Sequence, residues 1–365
     1  MSNEPSEPKE IPAYQIQHLI SNVVEDFGFE QSDRPKGGPS GIQVRCAQAL
    51  GSEIYVGCSN GELIRYALQA DDPNRLESYS ILSRQTLPNE RPIDEIVLIP
   101  SISRALILSD RQLHFYILPS LDPVPTHMIK PIRNVVTFAV DNQHLKRPAL
   151  PPGSSAPLRP VEFCVIKRNS IAMFTLTEKL FYQKEIPLPN GGTHAKRNKQ
   201  TLCVADKQYY NMVDLEGTLL FPLLPLSQSV DPLPFEVKPH IMVIDDDFLL
   251  TSWTGTNTLG LFVTPDGDPV RGTLEWVSYP DSITLDYPYI NTLLPNGEIL
   301  IHHAETQALI QTIYPGSETD PDEGRRLGMV ASLGGYLIPS KQRSQKMQMV
   351  SVKLLRGGIQ EVMVP

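Results

Sequence analysis

Asp245-Asp246-Asp247 is the densest run of carboxylates in the chain, and clustered oxygens are what a divalent cation asks for. At a turn between two strands, consecutive side chains cannot all point one way. The run therefore reads as a solvated turn. Asp266-Gly267-Asp268 resembles the opening of a calcium loop, but it lacks the later oxygen ladder and the closing Glu. Pro265 and Pro269 make it a tight hairpin instead. His302 and His303 fall on opposite faces of a strand and cannot chelate one ion together. His18, His114, His127, His144 and His240 show no ligand spacing. No GxSxG elbow, HExxH helix or phosphate-binding loop occurs.

The clearest local charge anomaly is His194-Ala195-Lys196-Arg197-Asn198-Lys199, a basic run in a chain of formal net charge -9. It falls in Pro189 to Gln200, which reads as a loop. A solvated face is the plain reading. The functional one makes Lys196, Arg197 and Lys199 a binding patch for an acidic protein surface or anionic lipid.

These side chains must be positioned by strands. Helical periodicity is nearly absent. The strongest helix candidate, Tyr14 to Val24, fits a strand equally well. Short β-prone runs separated by turns recur instead. Glu53 to Gly57 and Leu63 to Leu68 flank Asn60-Gly61, a dipeptide that supplies the positive φ values of a tight hairpin. Arg104 to Leu108 and Leu113 to Leu118 flank Asp110-Arg111. Tyr289 to Leu293 and Glu298 to Ile301 flank Asn296-Gly297. Such pairs return about every 40 to 50 residues, the period of propeller blades. First strands near Ile42, Ile93, Val135, Thr201, Ile241, Ile283 and Met329 predict an all-β, seven-bladed β-propeller. A β-sandwich is the structural rival, but so many evenly spaced hairpins need a ring to bury both faces of each sheet. Proline, 34 residues in 365, falls between the runs, where a missing N–H is tolerated. Three longer loops, 142–160, 189–200 and 316–326, are where binding residues or neutral insertions would collect. Trp276 is expected to pack between blades.

Composition excludes other classes. With 41% hydrophobic residues the chain can bury a core. With 41 acidic against 32 basic residues it is too acidic for charge-driven nucleic-acid binding. No apolar run approaches the roughly 20 residues of a membrane span. Residues 1–12 are acidic, polar and Pro-rich, unlike a secretory signal, and read as a disordered tail ahead of a propeller over 13–365. Cys46, Cys58, Cys164 and Cys203 form no CxxC and read as buried free thiols. Together these features point to a cytoplasmic protein that needs no cofactor.

In order along the chain, the runs Glu53-Ile-Tyr-Val-Gly57, Pro92-Ile-Asp-Glu-Ile-Val-Leu98, Ser103 to Asp110, Leu121-Asp-Pro-Val-Pro125, Val136 to Val140, Val161 to Arg168 and Leu259 to Trp276 resemble one family. It is the CNH (citron homology) domain, of the kind that forms the amino-terminal propeller of the TGF-β receptor-associated protein and CORVET endosomal tethering subunits. The resemblance spans about residues 40 to 340. It implies a non-enzymatic propeller at the head of a longer protein with an α-solenoid. It also implies partners: a Rab-family GTPase, of early-endosomal type, and other tethering-complex subunits. The location implied is peripheral, on endosome or vacuole membranes, with contact to anionic membrane as a further expectation. Two rival functions follow from the same ring. One is an architectural propeller that docks the solenoid or other subunits without a Rab. The other is a hydrolase with a metal in the central channel.

Overall fold

Turn residues close the short strands onto their neighbours in the chain, so the sheets grow locally and in sequence order. The computed structural model describes residues 12–21, 42, 44–69, 78–151, 157–315, 330–332, 335–339 and 343–349. Six antiparallel blades follow one another. The first pairs Val44–Leu50, Glu53–Cys58, Glu62–Gln69 and Ser78–Thr86. The second pairs Ile93–Ile99, Arg104–Ser109 and Gln112–Ile117, with Asp122–Pro123 and Ile132–Arg133 sharing the outer position. The third holds Thr137–Val140, Val161–Ile166, Ser170–Leu176 and Leu180–Pro187; the fourth His194–Asn198, Thr201–Ala205, Tyr209–Asp214 and Leu220–Pro225. The fifth runs Ile241–Ile244, Asp247–Trp253, Thr258–Val263, Pro269–Trp276, and the sixth Ser282–Asp286, Tyr289–Leu293, Ile299–His303, Leu309–Ile313.

The expected count of seven blades is corrected to six built of consecutive strands. The remaining sheet is of different make. Tyr14–Ser21 pairs with Arg343–Met349, which continues through Gly335–Pro339 to Val330–Ser332. Val330–Ser332 lies between the inner strands of the sixth and first blades, so both ends of the described chain close the ring. The segment read as helix or strand, Tyr14 to Val24, is a strand as far as Ser21. Residues 350–365 and the 316–326 loop lie outside the described residues.

The core sits between blades rather than within them. Val161, Phe163 and Val165 of the third blade meet Leu106, Leu113 and Phe115 of the second. Met173 and Ile186 of the third meet Leu202 and Val213 of the fourth. Each sheet is apolar on both faces because each is covered twice, which only a closed stack allows. Trp276 is buried and packs edge-on to His302 of the next blade, at 6.1 Å between ring centroids, between blades as expected. Its indole fills the space over Gly260, where a Cβ would come within 2.6 Å. In the Asn-Gly turns only the glycine takes positive φ, while the asparagine caps the turn. Gly61 has φ +82°, and Asn60 Oδ1 accepts from the Glu62 amide at 3.2 Å; Asn296 does the same for Glu298 at 3.1 Å.

Five of the outer strands shift register by one or more residues against their neighbour. Such bulges twist an exposed edge away from further pairing.

Candidate functional site

The inner strands surround a channel of about 460 Å³ whose wall mixes the polar Arg45, Gln48, Asp94, His194, Lys196 and Thr284 with apolar side chains such as Val44, Ile241, Met242 and Ile283. Arg45 pairs with Asp94 across two blades at 3.3 Å. Burial raises the Glu95 carboxyl above its ordinary range, and the Lys196 ammonium opposes the shift. His194 and His240 stand where the channel meets a groove of about 1010 Å³. The hairpin at Asp206–Tyr209 forms one side of the groove and the connection at Glu236–His240 the other. Burial drives His194 down to about 3 and His240 to about 4, so both imidazoles are neutral near neutral pH. A hydrogen-bond chain stiffens this wall. Tyr210 Oη accepts from the His240 amide at 3.1 Å, Tyr279 Oη donates to the Lys238 carbonyl at 2.7 Å, and Thr251 lies between the two phenols.

The basic run is not a loop. His194–Asn198 is the innermost strand of the fourth blade, and Thr201, taken as a first strand, begins the second. Alternation explains the error: Ala195 and Arg197 point inward while His194 and Lys196 are half-buried. The side chain of Arg197 has no exposed surface. It pairs with Glu162 of the third blade and donates from Nε to the Lys199 carbonyl at 2.9 Å. Asp141 accepts from the backbone N–H of Lys199 at 3.1 Å, and Asn198 donates to the Asp245 carbonyl at 2.9 Å. Lys199 Nζ, exposed, reaches Asp246 at 2.6 Å. Arg271 continues the belt to Asp245 at 3.3 Å and to Glu305 at 2.5 Å. Lys196, Arg197 and Lys199 therefore do not share one surface: Lys196 belongs to the channel, Arg197 to the blade interface and Lys199 to the rim. The aspartate run 245–247 is occupied by these cations. His302 and His303 contact different aromatic partners, Trp276 and Tyr289.

Burial pushes the Cys58 thiol up to about 12 and Cys164 to about 11, and raises Cys46 and Cys203 further, so all four stay protonated. Among the described residues no three His, Cys, Asp or Glu side chains converge as a metal site. Among them also no helix is long and apolar enough to cross a membrane. The polar side chains of the channel wall were invisible in the sequence because they are brought together from different blades.

A ring of antiparallel sheets of four or five strands, with inter-blade cores and an axial channel, defines a β-propeller. Solved structures agree on this fold: the AfRom2 CNH domain superposes with a TM-score of 0.56 at 19% identity, covering 92% of this chain and 99% of that one. The Pan2 WD40 domain of Neurospora crassa gives 0.61 at 10% identity, over 94% and 98%. The family model for the VPS3 N-terminal domain matches residues 39–315, and the chain belongs to that family. It is 27% identical over 262 residues to vacuolar protein sorting-associated protein 3 of Saccharomyces cerevisiae, covering 69% of this chain and 23% of the relative. It is 25% identical over 307 residues to mouse transforming growth factor-beta receptor-associated protein 1, covering 81% and 33%. The chain thus spans between a quarter and a third of the length of these relatives.

Proposed function

We propose that this propeller is a non-catalytic recognition domain in vacuolar or endosomal membrane tethering, binding a Rab-family GTPase of early-endosomal type and other subunits of a tethering complex. The observation that carries the reading is membership of the VPS3 N-terminal family over residues 39–315. The physical support is rigidity: blades hydrogen-bonded internally and packed on both faces present turns and rims with little ordering entropy left to lose on binding. A Rab in its GTP state orders its switch segments, so a partner touching them discriminates the two nucleotide states. Affinity of the single domain is expected to be modest, with tethering gained through multivalency. Peripheral contact with anionic membrane belongs to the same reading. Of the basic run, Arg197 is committed to Glu162 and Lys199 to Asp246, and Lys196 lines the channel, so the run is not offered for that contact.

The test is capture of the purified chain on a panel of endosomal Rabs loaded with GTP or GDP. Preference for the GTP form of at least one is the expected result. Equal capture in both states, or none, would overturn the GTPase reading and favour the architectural one.

A further inference from the structure

We propose that one end of the ring docks on an anionic lipid surface through an arc of Arg91, Arg111, Arg133 and Arg168, with Lys130 beside it. The proposal rests on the peripheral-membrane reading above and gives it a location. The four arginines lie on four successive connections at the same end of the second and third blades. Arg91 precedes Ile93–Ile99, Arg111 turns between Arg104–Ser109 and Gln112–Ile117, Arg133 ends the second blade, and Arg168 turns between Val161–Ile166 and Ser170–Leu176. Backbone contacts tie these connections together. The Ser109 hydroxyl donates to the Arg91 carbonyl at 3.1 Å, the Val135 amide to the Arg111 carbonyl at 2.9 Å, and the Val136 amide to the Ile166 carbonyl at 2.8 Å. Arg133 stands directly opposite Gln112, next to Arg111.

All five cations are exposed, and none takes part in the ion pairs found among the described residues. Glu90 and Asp110 stand among them as carboxylates, and Glu185, paired with Lys167, lies beside Arg168. Elsewhere on that end the balance reverses: Asp206, Asp231, Glu236, Asp281 and Glu298 face Lys207 and Lys238. At the opposite end Arg197, Lys199 and Arg271 are consumed by carboxylates, whereas the exposed Lys146, Arg159 and Lys179 there stand, like the arc, outside the ion pairs of the described residues. In a chain of net charge -9, an unneutralised basic arc orients the whole ring toward a negative surface.

The occupant follows from what the arc lacks. A protein partner needs a buried apolar anchor at the centre of its footprint. Here the exposed large apolar side chains are Val136, beside the arc, and Met128, on the adjacent outer rim. The cations sit on separate turns, and neither the channel nor the groove is lined by them. Lipid headgroups are mobile and can gather under each guanidinium, whose planar fork suits phosphate oxygens.

Sedimentation with vesicles of phosphatidylcholine, alone or mixed with phosphatidylserine, tests this. Binding is expected only with phosphatidylserine, and it should weaken as salt rises. Loss of one cation near a membrane lowers partition about fivefold, so the triple variant Arg111→Ala/Arg133→Ala/Arg168→Ala should lose on the order of a hundredfold. Its circular dichroism should match the parent. Lys199→Ala, at the other end, should bind as the parent does. No binding of the parent to either vesicle at low salt overturns both the location and the membrane reading. Binding untouched by the triple variant, or lost in Lys199→Ala instead, overturns the location alone. Arc-dependent binding of polyglutamate without vesicle binding assigns the arc to an acidic protein and overturns the lipid proposal. The nucleotide-state experiment with Rabs is independent of all these outcomes.

Discussion

Replacing Arg197 by Met removes a charge that has no contact with water while keeping most of the side-chain volume. In the native ring its guanidinium meets Glu162 of the neighbouring blade and the Lys199 carbonyl. Losing the charge-assisted hydrogen bond costs about 1.5–3 kcal/mol, and the part-buried Lys199 carbonyl that loses its donor adds about 1 kcal/mol. The side chain of Glu162 is 33% exposed and rehydrates in part, which lowers the total. The expected loss is about 3 kcal/mol, at the lower end of what breaking a buried pair costs. Lys199→Met is the internal reference. Its pair with Asp246 has side chains 57% and 66% exposed and should be worth about 0–1 kcal/mol. Urea unfolding of the three proteins, with slopes compared as well as midpoints, gives the difference directly. If Arg197→Met costs no more than Lys199→Met, water reaches the guanidinium and the structural assignment of this arginine fails. The same logic makes charge reversal of Lys196, Arg197 and Lys199 together an ambiguous test of lipid binding, since one of the three holds blades together.

Trp276→Ala should destabilise by about 3–5 kcal/mol, because it empties the space between Gly260 and His302. A near-neutral effect in urea unfolding would mean the indole is not a wedge between blades. The buried histidines set an acid limit. Burial lowers His194 to about 3 and His240 and His302 to about 4, from an ordinary value of 6.5. The unfolded chain then binds more protons below pH 6.5, so their contribution is whole above that value and is lost as pH falls from 6.5 toward 4. The thermal midpoint should drop across that window, and His302→Gln should flatten the drop. An unchanged slope in that variant would refute the neutral, buried assignment of His302.

Much of the ring was legible because its hairpins obey local chemistry. Asn60-Gly61 and Asn296-Gly297 supply positive φ and an Asx hydrogen bond wherever the chain stands, so both turns and their flanking strands could be read off residue by residue. His194–Asn198 failed that reading because its half-buried positions carry Lys196 and a histidine, and two of its three buried positions carry the polar Arg197 and Asn198. A cation looks solvated in a sequence until its partner, here Glu162, 35 residues away, is brought to it. The count of blades erred for a related reason. Six blades pair strands that are neighbours in sequence, but the last sheet joins Tyr14 to Met349.

The sequence alone determined what local interactions decide: strands rather than helices, tight turns, an acidic composition and free thiols, of which Cys58, Cys164 and Cys203 are buried and Cys46 half-buried. Tertiary structure decided everything that depends on residues distant in the chain. Gln311 holds both backbone groups of Tyr14 across 297 positions, and only closure of the ring makes that contact. Arg91, Arg111, Arg133 and Arg168 are scattered single charges in the sequence and become one arc because successive turns come out at the same end of adjacent blades. Charge patterning along a chain reports neighbours in sequence, whereas a surface potential sums charges over space, and a propeller converts one into the other at a pitch set by its blades.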